Sequence, residues 1–509
     1  MTFRFTSAVK SKIKVPNRRF QIKLRSFHIK VFISQNEYNT VNTKYQAFYL
    51  VTNSLHFDVK SNTSKIAVLT LGCAKNIVDS EELLEQIDHS DYTVTKNAAN
   101  ADVVVINTCG FIQDAKKESI ETILQSVELK KQGKLKKVIV MGCLSERYKS
   151  ELQKEIPEVD AFIGANKINS VTKKLGIDFK CELLGERHLT TPRHYAYLKI
   201  AEGCDNPCSF CAIPLMRGKH VSKPIERVIK EAQRLAALGV KELILIAQDT
   251  TYYGLDLYGR RSLKQLLGKL GNVDGVEWIR LMYAFPAKFP EKILDVFIDN
   301  DKLCKYIDMP VQHISDNILK SMRRDISSCA TYKLIDKIRK KVPGIALRTS
   351  LIVGYPNETD KEFQELIDFV KEVEFDRLGV FTYSIEEDTH AFGLGDPVSD
   401  DEKQTRRNML MEIQSEISYK KNQSFTGKKI RILVDSKTSS TAFCRSEYDA
   451  PEVDNEVIVE SADKMKIGNF YDVKIVDIYE YDLFAQFEAT GRKQKSKNCD
   501  EAIPLEKAN

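Results

Sequence analysis

The chain has 509 residues, 42% hydrophobic and 29% charged, enough for about three domains of ordinary size. It has no run of about 18 apolar residues and no leading apolar core, so no membrane span, membrane partner or signal peptide is expected, and a cytoplasmic setting is. The net charge of +6 is local: residues 1–60 carry 11 Lys+Arg against only Glu37 and Asp58, and the slightly acidic remainder offers no general nucleic-acid surface.

The leading stretch "MTFRFTSAVKSKIKVPNRRFQIKLRSFHIKVF" is acid-free and basic, as in organelle transit peptides, but lacks a helical apolar stripe. Residues 1–64 are therefore expected to be an extension, disordered or outside the fold. From Lys65 a different pattern begins. "KIAVLTLG" (65–72), "DVVVINT" (102–108) and "KVIVMG" (137–142) read as buried strands, each followed by a helical stretch. Strand then helix, repeated, predicts an open parallel α/β sheet over 65–180 with helices on both faces. A cysteine follows each strand: Cys73, Cys109 and Cys143. Ligands of open parallel sheets sit beyond the strands' carboxyl ends, so the three thiols are expected to converge on one spot.

After a linker near 180–194, six further strand candidates alternate with helices: "YAYLKI", "ELILIAQ", "EWIRLMYAF", "KYIDMPVQ", "ALRTSLIVG" and "RLGVFTYS". This predicts a partial (β/α)6 barrel over 190–422, with its active loops at the strand carboxyl ends. A long helix (401–425) closes the series. Five short strands over 424–491 then fit a small antiparallel β-barrel. The polar tail, 492–509, is expected to be disordered.

The loop after the first barrel strand reads "GCDNPCSFC", placing Cys204, Cys208 and Cys211 within eight residues. Four thiolates would close a metal site; three leave one position open. On a 4Fe–4S cube the open iron could chelate S-adenosylmethionine (SAM), and one electron through the cluster could cleave its sulfonium. These three residues are thus candidate metal ligands and the candidate catalytic center. Phe210 suits either core packing or the cofactor pocket. Gly354 and Pro356, in "SLIVGYPNET", suit either an ordinary turn or a backbone approach to the cofactor. The competing reading is a three-thiolate zinc site completed by water, with His220 a candidate fourth ligand. Cys181, Cys304, Cys329, Cys444 and Cys499 are scattered and expected to be buried or neutral thiols.

"GCDNPCSFCAIPLMRGKHVSKP" resembles the radical-SAM methylthiotransferases, "LGCAKNIVDSEELL", "VVINTCGFI" and "VMGCLSERY" resemble their N-terminal cluster domain, and the last barrel resembles their TRAM domain. The likeness spans about residues 65–491. "IAQDTTYYGLDLYG", "WIRLMYAFP" and "RSEYDAPEVDNEV" are similar to the branch that modifies an aspartate of ribosomal protein uS12, rather than adenosine in tRNA. The resemblance implies an auxiliary 4Fe–4S cluster on Cys73, Cys109 and Cys143 and a SAM-cleaving one on Cys204, Cys208 and Cys211. It also implies one SAM as methyl donor and another as radical source, methylthiolation at the aspartate β-carbon, and an electron donor such as flavodoxin or ferredoxin. The rivals are a tRNA methylthiotransferase and a noncatalytic iron–sulfur or zinc protein that binds ribosomes. Residues 424–492 hold 9 Lys+Arg against 13 Asp+Glu, which suits a basic protein substrate better than an RNA backbone.

Overall fold

The computed structural model describes residues 63–487 and, ahead of them, two antiparallel strands, β1 (Arg18–Leu24) and β2 (Phe27–Ile33). The rest of the basic extension and the expected disordered tail lie outside the described residues.

Five parallel strands form the first sheet: β3 (Lys65–Thr70), β4 (Thr93–Val94), β5 (Val103–Thr108), β6 (Lys137–Gly142) and β7 (Ala161–Phe162), in the order β4-β3-β5-β6-β7. Helices α2 (Gln113–Lys131) and α3 (Cys143–Glu155) pack Ile120, Ile123, Leu144 and Leu152 against Val104, Ile106, Val138 and Val140. On the other face, α1 (Ala74–Asp88) and α4 (Ile168–Leu175) pack Leu83, Ile87, Val171 and Leu175 against Val103, Val105 and Ile139. β5 is therefore buried at all six positions, which is why its sequence shows no alternation. Strands β1 and β2 lie beside α3 and α2.

In the second unit, β8 (Tyr195–Lys199) leads into the two-residue strand β9 (Ala201–Glu202), which pairs antiparallel with β10 (Val221–Ser222). Then β11 (Glu242–Ile246), β12 (Trp278–Leu281), β13 (Leu303–Asp308), β14 (Ala346–Val353) and β15 (Arg377–Thr382) follow. With β8 they form a parallel six-stranded sheet in strict chain order, open between β8 and β15. Ala196, Leu198, Leu243, Leu245, Ile279 and Leu347 point to the helix side, where the largest core lies. Tyr195, Tyr197, Ile244, Ile246 and Trp278 point to the inner side. The closing helix, Asp400–Gln423, starts at Ser399, whose hydroxyl accepts from the Glu402 N–H. Three acids in its first turn and two lysines in its last suit the helix dipole.

The third unit is a closed barrel of β16 (Lys429–Lys437), β17 (Ala442–Ser446), β18 (Val457–Glu460), β19 (Phe470–Ile478) and β20 (Leu483–Gln486). Four of its pairings are antiparallel, but β18 and β20 run parallel. The small, mainly antiparallel barrel is as expected, and its one parallel pair has a geometric cause: a ring of five strands cannot alternate direction all the way round. The small barrel docks on the inner side of the larger sheet, where Trp278 meets Phe470 edge-on at 4.8 Å. Arg280, fully buried, donates from Nε to Glu242 at 2.8 Å and from Nη1 to the Glu447 carbonyl at 2.7 Å. Arg445 reaches the other Glu242 oxygen at 2.7 Å.

Two cysteine trios at one face: the candidate active site

Cys73 immediately precedes α1, Cys109 follows β5 and Cys143 opens α3, so all three lie beyond the carboxyl ends of neighboring strands. The backbone is drawn tight around them. A Cβ on Gly72, whose φ is +90°, would lie 3.0 Å from Cys109 Sγ, and one on Gly110 would lie 2.8 Å from the Leu144 nitrogen. Ser119 on α2 anchors the middle cysteine, accepting from the Cys109 N–H at 3.1 Å and donating to its carbonyl at 3.0 Å. Burial pushes the Cys109 thiol up, with Cys73 adding to the effect. Burial also pushes Cys143 up to about 12, where Arg217 works against the shift and Cys73 and Cys109 reinforce it. The three cysteines thus stand at the ends of three adjacent strands, β3, β5 and β6.

The second trio lies in the loop after β9. Burial raises the Cys204 thiol to about 11 and the Cys211 thiol to about 12, with Cys208 reinforcing both shifts. The loop is held from three sides. Asn206 donates to Asp249 at 2.8 Å, the Ser209 hydroxyl lies 2.9 Å from the Tyr355 hydroxyl, and Arg324 donates to Cys208 Sγ at 3.3 Å. Arg324 also lies over the Phe285 ring, 4.2 Å from its center.

Only one short element separates the trios. The helix α5 (Ile213–Arg217) follows Cys211 directly, and Ala212 and Met216 pack against Cys143. The Arg217 guanidinium, almost fully buried, lies 3.0 Å from Asp79 on α1 and 3.0 Å from Glu202 on β9, and it also donates to Asn76. Glu202 in turn accepts from Lys199 at 2.8 Å and Gln248 at 2.7 Å. A second buried join links Lys116 and Arg147 of the first unit to Glu386 beyond β15. These contacts bind the first sheet to the carboxyl-end face of the second.

Phe210, Gly354 and Pro356 each have a packing or turn role in the fold. Phe210 is half-buried against Ile318, Met322, Tyr355 and Tyr383. Gly354, φ +71°, is required because a Cβ there would lie 2.2 Å from Lys403 Cγ of the closing helix. Pro356 starts a tight turn: Asn357 has φ +71° and the Glu358 N–H donates to the Tyr355 carbonyl at 2.9 Å, the geometry of a type II turn. His220, the candidate fourth zinc ligand, is engaged elsewhere. Its Nε2 lies 3.1 Å from the Ser222 hydroxyl and its ring tilts over Tyr252 at 4.7 Å. Among the described residues no three His, Cys, Asp or Glu side chains are grouped to share a single metal ion. Thiolates that each take a separate iron need no such grouping. Cys304 and Cys444 are buried as expected, whereas Cys181 and Cys329 are exposed.

Comparison with known proteins gives three consecutive matches: uncharacterized protein family UPF0004 over residues 65–164, the radical SAM superfamily over 198–370, and the TRAM domain over 426–487. The ribosomal protein uS12 methylthiotransferase RimO of Christiangramia forsetii is 53% identical over 436 residues, 85% of this chain and 97% of that protein. The chain belongs to the RimO methylthiotransferase family. The RimO of Cytophaga hutchinsonii is likewise 53% identical, over 83% of this chain and 98% of its own length. Among solved structures, the radical SAM methyltransferase TsrM of Kitasatospora setae covers 63% of this chain and 75% of its own, at 13% identity and a TM-score of 0.47.

As a RimO-family member the protein is a radical SAM methylthiotransferase whose cofactors are 4Fe–4S clusters and SAM. The donor set fits such clusters. Each trio offers three thiols, Arg217 and Arg324 face Cys143 and Cys208, and metal binding displaces the protons that burial otherwise holds on the thiols. Arg217, Arg324 and Tyr355 are site residues that reading the sequence missed. Nothing in "LMRGK" or "SMRRD" marks an arginine as facing sulfur, and only the folded chain brings them there.

Proposed function

We propose that this enzyme methylthiolates ribosomal protein uS12 at the β-carbon of an aspartate, with one 4Fe–4S cluster on Cys73, Cys109 and Cys143, a second on Cys204, Cys208 and Cys211, and two SAM molecules, one as methyl donor and one as radical source. The observation that carries this reading is the shared buried cluster of Cys143 with Ala212, next to Cys211, and Met216. Two trios separated by one short helix can serve one substrate carbon. The bound cofactors supply hydrogen abstraction at one trio and the methylthio group at the other. The protein's own part is placement. Arg324, Ser209–Tyr355 and Asn206–Asp249 fix the SAM-side loop, while Arg217 with Asp79 and Glu202 fixes its distance from the other trio. The working units are 65–180, 190–422 and 424–491. No helix among the described residues is long and apolar enough to cross a membrane. A cytoplasmic setting, near ribosomes and a flavodoxin or ferredoxin, fits the proposed substrate.

Mass spectrometry of uS12 and of bulk tRNA from a deletion strain tests the substrate: the uS12 mass shift should disappear, and loss confined to tRNA would overturn the reading. In the purified enzyme Cys208→Ala should abolish SAM cleavage, whereas Cys109→Ala should keep some cleavage and lose methylthiolation. Full product formation by Cys109→Ala would refute the two-cluster assignment.

A further inference from the structure

Lys75 lies in the first turn of α1, two residues after Cys73, and is 7% exposed. Its ammonium has no carboxylate and no hydrogen-bond partner among the described residues; its contact is the face of Tyr283, 3.0 Å from the ring center. The neighboring buried cations are all paired: Lys116 and Arg147 with Glu386, Lys199 with Asp79 and Glu202, Arg217 with Asp79 and Glu202. The stem is largely buried, while the ammonium it carries to this position has no carboxylate opposite it and stays open to a ligand.

Tyr283 packs against the inner-side cluster and is also fixed through its backbone. It follows β12, at the carboxyl-end face of the sheet, and has φ +59°, a strained value for a bulky residue. The Tyr283 N–H donates to Asp308 Oδ2 at 3.1 Å, and its carbonyl accepts from the Thr250 N–H and hydroxyl, each at 3.1 Å. The other Asp308 oxygen accepts from Arg348 at 2.8 Å, so Asp308 is committed and does not serve Lys75. The same turn of α1 packs Ala74, Ile77 and Val78 into the cluster that holds Tyr197, Ile246 and Met282 on the inner side of the sheet. The ammonium therefore sits at the joint between the first trio and the mouth of the second unit.

We propose that Lys75, on its Tyr283 platform, is a carboxylate subsite that receives the side chain of the target aspartate. The inference rests on the uS12 reading above and adds the residue that recognizes the substrate's charge. An aspartate carboxylate is bonded directly to the β-carbon. Clamping it at this joint sets that carbon between the two trios. One cation on an aromatic face suits a single carboxylate, whereas a nucleic-acid backbone calls for a spread of basic groups. The N-terminus of α1 favors an anion in the same place.

The test uses the reconstituted full chain and two probes: purified uS12, and uS12 carrying Asn at the aspartate that mass spectrometry identifies as modified. Wild type should bind the Asp form more tightly than the Asn form by about tenfold or more. K75M should bind the two alike, K75R should keep most of the preference, and Y283L should lose it from the other side of the subsite. Affinity for SAM, measured separately, should move by less than about twofold in K75M, because the methionyl carboxylate belongs elsewhere. An unchanged Asp/Asn ratio in both K75M and Y283L overturns the subsite. So does a loss confined to SAM affinity, which would assign Lys75 to the cofactor, or a loss confined to tRNA binding. Failure of the wild type to bind or modify uS12 at all refutes the proposed function first, and the subsite with it.

Discussion

Gly72→Ala tests the first trio with a single methyl group. At φ +90° an L-residue is strained by about 1–2 kcal/mol. The added Cβ would also stand 2.6 Å from Cys109 Cβ and 3.0 Å from its sulfur, well inside the roughly 3.5–4.0 Å at which carbon atoms rest. Cys109 cannot retreat freely, because Ser119 holds both its N–H and its carbonyl. Relieving such overpacking costs about 1–3 kcal/mol more, for a total of about 2–5 kcal/mol placed on one ligand. Gly133→Ala is the control, since Gly133 has φ +74° with open space around it and so bears the backbone term without the contact. After anaerobic reconstitution, iron and sulfide should fall from about eight per chain toward about four in Gly72→Ala and stay near wild type in Gly133→Ala. With the second trio removed, the remaining EPR signal should weaken in Gly72→Ala. Wild-type iron content and an unshifted signal in that variant would refute the convergence of Cys73, Cys109 and Cys143.

Three further outcomes follow from charge pairs, two of them buried. Glu242→Gln leaves Arg280 and Arg445 facing a neutral amide, at a cost of about 3–5 kcal/mol; thermal unfolding should begin earlier, and limited proteolysis near residues 424–428 should release the small barrel faster than in wild type. Arg217→Met strands Asp79 and Glu202 with Lys199 alone, so it should lower iron retention at the first trio and alter its EPR signal, while Arg217→Lys should restore part of both; an unchanged signal in Arg217→Met would count against its bridging position. His188 is raised by its hydrogen bond to Asp88, so its contribution is complete below about pH 6.5 and fades as pH rises through the higher folded-state value; the thermal midpoint gap between wild type and His188→Ala should therefore be largest near pH 6 and shrink toward pH 9, and a constant gap would contradict this.

Local patterns were the most legible. The C-x3-C-x2-C loop is a property of eight consecutive residues, and the first trio was readable because each cysteine follows an apolar strand of the same kind. The apolar strands themselves announced a sheet covered on both faces, and β6 was delimited correctly at both ends. Gly354 shows the converse. A glycine beside a strand end invites a cofactor reading, and the fold adds a constraint from Lys403, a residue distant in sequence whose arrival cannot be foreseen.

Charge was the least legible. The acidic count of residues 424–492 suggested a surface for a basic protein, yet Asp435, Asp449, Glu452 and Asp454 turn toward the larger sheet. There they meet His194 and Arg445, Arg377, Tyr195, and Tyr306 with Arg348. A sum over sequence cannot separate charges that meet solvent from charges consumed in docking, and this sum loses most of its force.

Composition and periodicity alone thus determined the longer strands and helices, their order, and six cysteines in two sets, because those features follow from neighbors along the chain, whereas the two-residue strands β4, β7, β9 and β10 escaped them. Tertiary structure alone decided that α5 stands between the sets, that arginines face sulfur, that five strands must close with one parallel pair, and that Lys75 is left on Tyr283 without a counter-ion. The physical reason is that packing and Coulomb contacts act through space, between residues whose separation along the chain carries no trace of the distance between them.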